Sequence, residues 1–156
     1  MFDRGYSVVE IIVIIVAVAI IAAIAIGADP LLLQRSQDME READTLSIRR
    51  AFEDYYRMNA ATTGPSYPTT SNITSSLDTI ATIYGKDIFI APRQSSYSLV
   101  SATSTSSQSP NKDTYIYQPY TPSGTLCSTA PCVRYRLYYF SESANSVKTL
   151  DSMRQQ

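Results

Sequence analysis

Residues 8–28 read VVEIIVIIVAVAIIAAIAIGA, and the only charged side chain in this stretch is Glu10. About 20 apolar residues in a row have the length of a helix that spans a bilayer. A carboxylate within such a run is unfavourable in lipid, by at least ~2.5 kcal/mol at the bilayer centre and less near an interface. Glu10 is therefore a candidate functional residue, and the partner that compensates its charge has to be identified.

Composition limits the classes of function open to the chain. Its 156 residues carry a net charge of -1 and include 12 tyrosines but no histidine. Without histidine, Ser-His-Asp and Cys-His catalytic arrangements are impossible, and no glycine-rich phosphate-binding motif is present. We therefore predict no catalytic residues, no enzyme activity and no cofactor. The second half, rich in Tyr, Ser and Thr, suits the exposed β-surfaces of a head domain outside the cell.

The flanks of the apolar run indicate how it would be oriented. Residues 1–5, MFDRG, contain one arginine and one aspartate, so the positive-inside rule orients the segment only weakly. A single span with a long polar tail fits an N-terminus in the cytoplasm and a head outside. A cleavable secretory signal is the alternative, with Ala22, Ala23 and Ala25 imitating its cleavage site, although such signals have apolar stretches of roughly 7–15 residues.

Residues 5–10, GYSVVE, followed by an Ile/Val/Ala-rich run, resemble the processing site of type IV pilins and of type II secretion pseudopilins. The family pattern is a leader that ends in Gly, an aromatic residue, Ser or Thr, two aliphatic residues and Glu. Tyr6 replaces the usual Phe. Residues 22–26, AAIAI, are also similar, and Gly27 stands where the family often has Pro. A weaker similarity covers residues 49–70, with RRAFEDYYRMN and then YPTT.

This resemblance implies a structural subunit of a bacterial cell-surface filament. A prepilin peptidase would cut after Gly5 and methylate the new amine of Tyr6. Glu10 would neutralise that amine, its own or that of a neighbouring subunit, and an intersubunit pair would set the axial register of the fibre. Other implied partners are membrane lipid before assembly, a membrane platform protein and a cytoplasmic assembly ATPase. The precursor would be stored in the inner membrane, and the assembled filament would be extracellular.

Three alternatives stay open. The chain could be a type II secretion pseudopilin, which the triplet Tyr67-Pro68-Thr69 favours. It could instead be a signal-anchored extracellular binding module that never polymerises. Glu10 itself could be a carboxylate that snorkels to a membrane interface, and the small residues of the apolar run, which let helices approach closely, would then serve a plain anchor.

The expected fold class is α+β, with a long pilin-like N-terminal helix, transmembrane in its first half, packed on a small antiparallel β-sheet head. We expect a leader at 1–5, a transmembrane and assembly helix at 6–28, the second half of the helix at 29–60 and an extracytoplasmic head at 61–156. Gly27 and Pro30 predict a break or bend between the two halves. Over residues 31–59, two apolar faces are predicted at helical spacing, one with Leu32, Met39, Ala43 and Leu46, the other with Ile48, Ala51, Phe52, Tyr55 and Asn59.

The head is predicted from its turn signals and alternating patterns. Residues 60–70 form a loop, and a short helix follows with Ile73, Leu77, Ile80 and Tyr84 inside. Strands are expected at 97–102 and 114–118, around the polar loop STSSQSPNKD, then at 133–141 and 146–150. Glu42, Arg49 and Glu53 are predicted to form ordinary surface ion pairs.

Cys127 and Cys132 predict a disulfide that closes a short loop before the strand at 133–141. Free thiols and a metal site are the alternatives, but a metal site would need further ligands, so none is predicted. Arg134 and Arg136 stand beside tyrosines, as in surfaces that bind single-stranded nucleic acid. Because two arginines are few, a solvated sheet face is the preferred interpretation, and nucleic acid is not an expected partner. Four scattered acidic residues match no calcium-binding spacing: Asp87, Asp113, Glu142 and Asp151.

Overall fold

The computed structural model describes residues 7–26, 30–62 and 64–154. These residues form an α+β fold with three α-helices, one short 3-10 helix and a four-stranded mixed sheet. Two compact units divide the chain, Met1–Leu33 and Gln34–Gln156. The helices and strands are α1 (Val8–Ile26), α2 (Pro30–Ala60), α3 (Ile73–Tyr84), the 3-10 helix (Asp87–Phe89), β1 (Leu99–Ser101), β2 (Tyr115–Tyr120), β3 (Arg134–Ser141) and β4 (Ser146–Asp151).

The first unit contains α1, which is apolar on every side. All side chains described over residues 8–23 are exposed, from 72% for Val8 to 47% for Ile11 among the large apolar ones. None of the helices in the described residues 7–26, 30–62 and 64–154 combines the length and the apolar character that a membrane span requires.

Within the second unit, α2 buries one face, and this face is more polar than the sequence suggested. Ile48, Ala51 and Phe52 are buried, as expected for the second predicted face. The buried face continues toward the N-terminus of α2 through the polar residues Gln37, Arg41 and Thr45. By contrast Met39, on the other predicted face, is 65% exposed. Leu32, also predicted on that face, belongs to the first unit and is 62% exposed. The periodicity of the apolar residues therefore located only half of the buried face.

The sheet has the strand order β1-β2-β3-β4, and its pairing differs in part from the prediction. β2 pairs with β3, and β3 with β4, in antiparallel fashion, but β1 pairs with β2 in parallel, with Leu99 opposite Tyr115. The expectation of a wholly antiparallel sheet is therefore wrong. Parallel neighbours need a crossover of about a dozen residues, and the connection over residues 102–114 is long enough to supply it.

The core of the second unit is rich in aromatic rings. Phe52 of α2 contacts Tyr117 and Tyr135 edge-on, with ring centroids 4.8 and 5.4 Å apart. Tyr67 packs against Tyr135 at 4.7 Å. Such pairs add stability beyond the area that they bury. α3 covers a further side with Ile73, Leu77 and Ile80, which are buried as predicted: the tyrosines that the sequence assigned to exposed surfaces thus form much of the interior.

Candidate functional site

Glu10 lies in the first turn of α1 and completes a capping box with Ser7. The Ser7 hydroxyl oxygen accepts a hydrogen bond from the backbone N–H of Val9 at 3.4 Å. In return, Oε2 of Glu10 accepts one from the backbone N–H of Ser7 at 2.9 Å. This reciprocal arrangement satisfies N–H groups that a helix start leaves unpaired. The pattern Ser-x-x-Glu before an apolar run is a known signal for it, and the sequence interpretation overlooked it.

A carboxylate at this position also suits the electrostatics of the helix. The N-terminus of an α-helix carries partial positive charge, which stabilises an acidic side chain in the first turn. The N–H of Ser7 is nevertheless a neutral donor. A neutral donor does not cancel the full charge of a carboxylate in an apolar environment.

The remaining predicted residues of this region fall at the limit of the described chain. Gly5, Tyr6 and Gly27 lie outside the described residues, so the predictions of cleavage and methylation, and the break at Gly27, stay predictions. Pro30 is the first residue of α2. Proline is favoured at that position because its missing N–H would have no partner inside the helix.

The predicted disulfide between Cys127 and Cys132 is confirmed, and both cysteines are fully buried. The loop that it closes holds the chain around Tyr67. The N–H of Tyr67 donates to the carbonyl of Cys132 at 2.9 Å, and the N–H of Thr70 donates to the carbonyl of Cys127 at 3.0 Å. The disulfide loop and the Tyr-Pro-Thr loop thus form one ordered unit.

Glu53 is the centre of a buried polar cluster on α2, and the prediction of a surface ion pair is wrong for it. Only 6% of the residue is exposed. Its Oε1 accepts hydrogen bonds from the hydroxyl of Tyr67 at 2.6 Å and from the N–H of Met153 at 3.0 Å. Its Oε2 accepts one from Nε of Arg154 at 3.3 Å. Burial, and next the hydrogen bond to Glu53, raise the pKa of the Tyr67 phenol, which therefore stays protonated as the donor.

A second polar cluster attaches the hairpin between β3 and β4 to α2. Asp38 accepts hydrogen bonds from the N–H of Glu142 at 2.9 Å and from the hydroxyl of Ser143 at 2.6 Å. Arg41, only 2% exposed, contacts Asp38 at 3.0 Å and Glu142 at 2.5 Å and donates from Nε to the carbonyl of Lys112 at 3.1 Å. A buried charge is tolerated when it is paired in this way.

Arg134 and Arg136 border an open cavity of about 550 Å³ at the end of the sheet where β3 begins. The guanidinium of Arg134 lies 5.7 Å from the ring centre of Tyr120, and Nε of Arg136 contacts Asp151 at 2.7 Å. Arg154 also borders this cavity. The sequence pointed to the first two arginines. It missed Arg154, whose place at the cavity depends on its long-range pair with Glu53 on α2.

No three His, Cys, Asp or Glu side chains among the described residues form a cluster that could hold a metal ion. Comparisons of the chain with known protein families, with curated proteins and with solved structures find no match.

Proposed function

We propose that the chain is the structural subunit of a type IV pilus-like filament, cleaved after Gly5, methylated at Tyr6 and polymerised through its N-terminal helix. The observation that carries the proposal is the exposed apolar surface of α1, with a single carboxylate held at its start. An apolar surface of this extent needs to be covered by lipid or by protein. Lipid would cover this surface while the precursor is stored in the membrane, and the α1 helices of other copies would cover it in the filament.

The charge of Glu10 supports intersubunit pairing as the step that sets the register. Ser7 already provides a neutral hydrogen bond to the carboxylate, but a charge enclosed by apolar helices needs a cation to compensate it. Cleavage after Gly5 would create an amine on Tyr6. The amine of a neighbouring subunit would pair with Glu10 in one axial position only, since any other position leaves both charges without a partner.

A type II secretion pseudopilus is the second candidate assembly. It is favoured by the triplet Tyr67-Pro68-Thr69. Tyr67 is 1% exposed, and the disulfide loop and Glu53 hold this segment in place. The shared chemistry of cleavage and polymerisation is the same for both assemblies, so experiments on Glu10 test the common part of the proposal.

Two substitutions separate the charge of Glu10 from its role at the helix start. Glu10→Gln keeps an acceptor for the N–H of Ser7, because Gln also completes a capping box, but it removes the charge. Ser7→Ala removes the hydroxyl contact with Val9 and keeps the charge. In cells that contain the assembly apparatus, we expect Glu10→Gln to abolish filaments seen by electron microscopy and Ser7→Ala to retain them. The amount of each variant in the membrane fraction serves as the control.

Filaments of wild-type abundance with Glu10→Gln would refute the pairing role. Mass spectrometry of the mature protein tests the processing step independently, with an N-methylated Tyr6 as the expected first residue. Retention of Met1, or a cut near Ala25, would favour the signal-anchored or secreted binding module over a filament subunit.

A further inference from the structure

Three arginines from different parts of the chain border the cavity at the end of the sheet. Arg134 and Arg136 are two positions apart on β3, so they project from the same face of the strand. Arg154 follows β4 and borders the same cavity. Tyr120 is directly opposite Arg134 in the register of β2 and β3, and Asp151 is directly opposite Arg136 in that of β3 and β4. The sheet register therefore determines this arrangement of charges.

The three guanidinium groups differ in the partners that they already have. Arg136 pairs with Asp151, and Arg154 pairs with Glu53. Arg134 stacks on Tyr120, but its guanidinium has no hydrogen bond or ion pair within residues 7–26, 30–62 and 64–154. The two acidic partners leave one positive charge without compensation at the cavity, and Arg134 carries the available donors.

The remaining lining is polar, which indicates a hydroxylated ligand. Asp151 offers a carboxylate at the rim of the cavity, and the phenol oxygen of Tyr120, whose hydrogen is donated to Gln118, can accept a hydrogen bond. The hydroxyl of Ser152 is already paired, since it donates to the carbonyl of Arg154 and accepts from the N–H of Tyr135. The volume of the cavity, about 550 Å³, lies within the range of pockets that hold small molecules.

The aromatic rings argue against a nucleic-acid strand at this place. Binding of single strands uses open ring faces on which bases stack. Arg134 covers one face of Tyr120, and Tyr135 is only 2% exposed. Of the two rings that line this cavity, one is thus engaged by an arginine and the other is buried.

We infer that this cavity binds a small hydroxylated monoanion, with the chemistry of a sugar acid. The fork of Arg134 would take the carboxylate in a bidentate pair, a geometry that guanidinium groups favour. The carboxylate of Asp151 and the phenol oxygen of Tyr120 would accept hydrogen bonds from the sugar hydroxyls. This site goes beyond the proposed role in filament assembly and does not depend on it.

The test uses the full chain in a non-ionic detergent and titrations at constant ionic strength, followed by NMR chemical shifts. The probes are glucuronate, neutral glucose, acetate and a short oligothymidylate. We expect glucuronate to bind, and glucose and acetate to bind at least about tenfold more weakly, since each lacks one half of the recognised chemistry.

Two variants assign the binding to the cavity. Arg134→Gln is expected to weaken glucuronate binding about tenfold or more, because a charge-assisted contact is lost. Arg136→Gln breaks the exposed pair with Asp151 but leaves the guanidinium of Arg134 in place, and we expect a smaller loss from it. Arg50→Gln, an exposed position on α2 with the same change of charge, is the matched control and should leave the affinity unchanged. Near-ultraviolet circular dichroism of the tyrosines verifies that each variant is folded.

Equal affinity for glucuronate and glucose, or for glucuronate and acetate, would overturn the inference. So would unchanged binding in both folded cavity variants, no detectable glucuronate binding at all, or tighter binding of oligothymidylate than of glucuronate.

Discussion

The hydroxyl of Tyr67 donates a 2.6 Å hydrogen bond to the carboxylate of Glu53, which links the loop after α2 to the interior of the helix. The same carboxylate oxygen accepts the N–H of Met153, so the end of the chain is attached at the same point. One acidic side chain thereby connects α2 with the loop that follows it and with the segment after β4, 100 positions away. A polar cluster of this kind is stabilising only while every member keeps its partner.

Replacing Glu53 by Ala is therefore expected to destabilise the head. The change leaves the hydroxyl of Tyr67, which is 1% exposed, without its acceptor, and it also removes the acceptor of the N–H of Met153, a residue that is 55% exposed. We expect a cost of about 1–3 kcal/mol. Urea unfolding of the full chain, followed by the near-ultraviolet signal of the tyrosines, measures the difference. The exposed residue Glu40 on the same helix supplies the control, and Glu40→Ala should change stability by no more than about 0.5 kcal/mol. Equal effects of the two substitutions would show that the cluster contributes nothing.

Asp38 predicts a loss of stability in acid. Burial acts to raise its pKa, but hydrogen bonds from Ser143, Glu142 and Ser141 outweigh it and lower the pKa from 3.8 to about 2. The folded state favours the ionised carboxylate more than the unfolded state does. The contribution of Asp38 to the free energy of unfolding is therefore fully present above pH 3.8 and is lost as the pH falls through about 2. The hairpin between β3 and β4 would then lose its attachment to α2.

The comparison of wild type with Asp38→Asn tests this pH dependence. The variant should be less stable than the wild type at neutral pH, since Asn offers a single acceptor oxygen where the carboxylate offers two. The gap in the free energy of unfolding should shrink as the pH is lowered from 3.8 toward about 2. A gap that is the same across this range would mean that Asp38 is not responsible for the acid sensitivity.

The elements that depend on local pattern were predictable from the sequence, and those that depend on distant partners were not. The helix expected at 31–59 is found at Pro30–Ala60, and the strand expected at 133–141 is found at Arg134–Ser141. The apolar period and the turn residues suffice for these. The burial of Glu53 could not be foreseen, because its partner Arg154 lies 101 positions away.

The same difference between local and long-range signals separates the start of α1 from the pairing of β1. Ser7 and Glu10 satisfy a local rule that the sequence displays in full, and the capping box could have been predicted. The parallel pairing of β1 with β2 depends instead on the path of a polar loop. That path is set by the side chain of Gln118, and no periodicity near residue 118 reveals it.

Gln118 is fully buried, and its amide makes four hydrogen bonds. Its NH₂ group donates to the carbonyls of Ser104 and Ser106, and its oxygen accepts from the hydroxyls of Tyr120 and Tyr138. Gln118→Leu keeps the size of the side chain but removes the buried acceptor of the hydroxyls of Tyr120 and Tyr138. Within the described part of the chain, the carbonyls of Ser104 and Ser106 then keep only their contacts with Gln108. We expect a loss of about 3 kcal/mol in the free energy of unfolding and faster hydrogen exchange in residues 102–114.

Gln108→Leu is the matched control for this substitution. Gln108 lies in the same connection and is only partly buried, and its amide makes only local contacts with Ser104 and Ser106. Its replacement should cost less than about 1 kcal/mol. If the two Leu variants lose similar stability, the loop is not held by Gln118 in the way that the hydrogen bonds indicate.

Asp44 predicts a pH effect of the opposite sign to that of Asp38. Burial raises its pKa from 3.8 to about 6, and the charges of Glu40 and Asp87 act in the same direction, against the hydrogen bond from the hydroxyl of Tyr115. The folded state therefore binds a proton more tightly than the unfolded state. The stabilising contribution of Asp44 to the folded state is fully present below pH 3.8. It declines as the pH rises from 3.8 through about 6.

Asp44→Asn should accordingly stabilise the protein at neutral pH, because the neutral amide avoids the cost of a half-buried negative charge and keeps an oxygen that can accept from Tyr115. The gain has an upper limit of about 3 kcal/mol for a shift of this size and should vanish below 3.8. Thermal unfolding of both proteins across this pH range measures it. A variant that is less stable than the wild type at neutral pH would mean that the ionised carboxylate is worth more to Tyr115 than its burial costs.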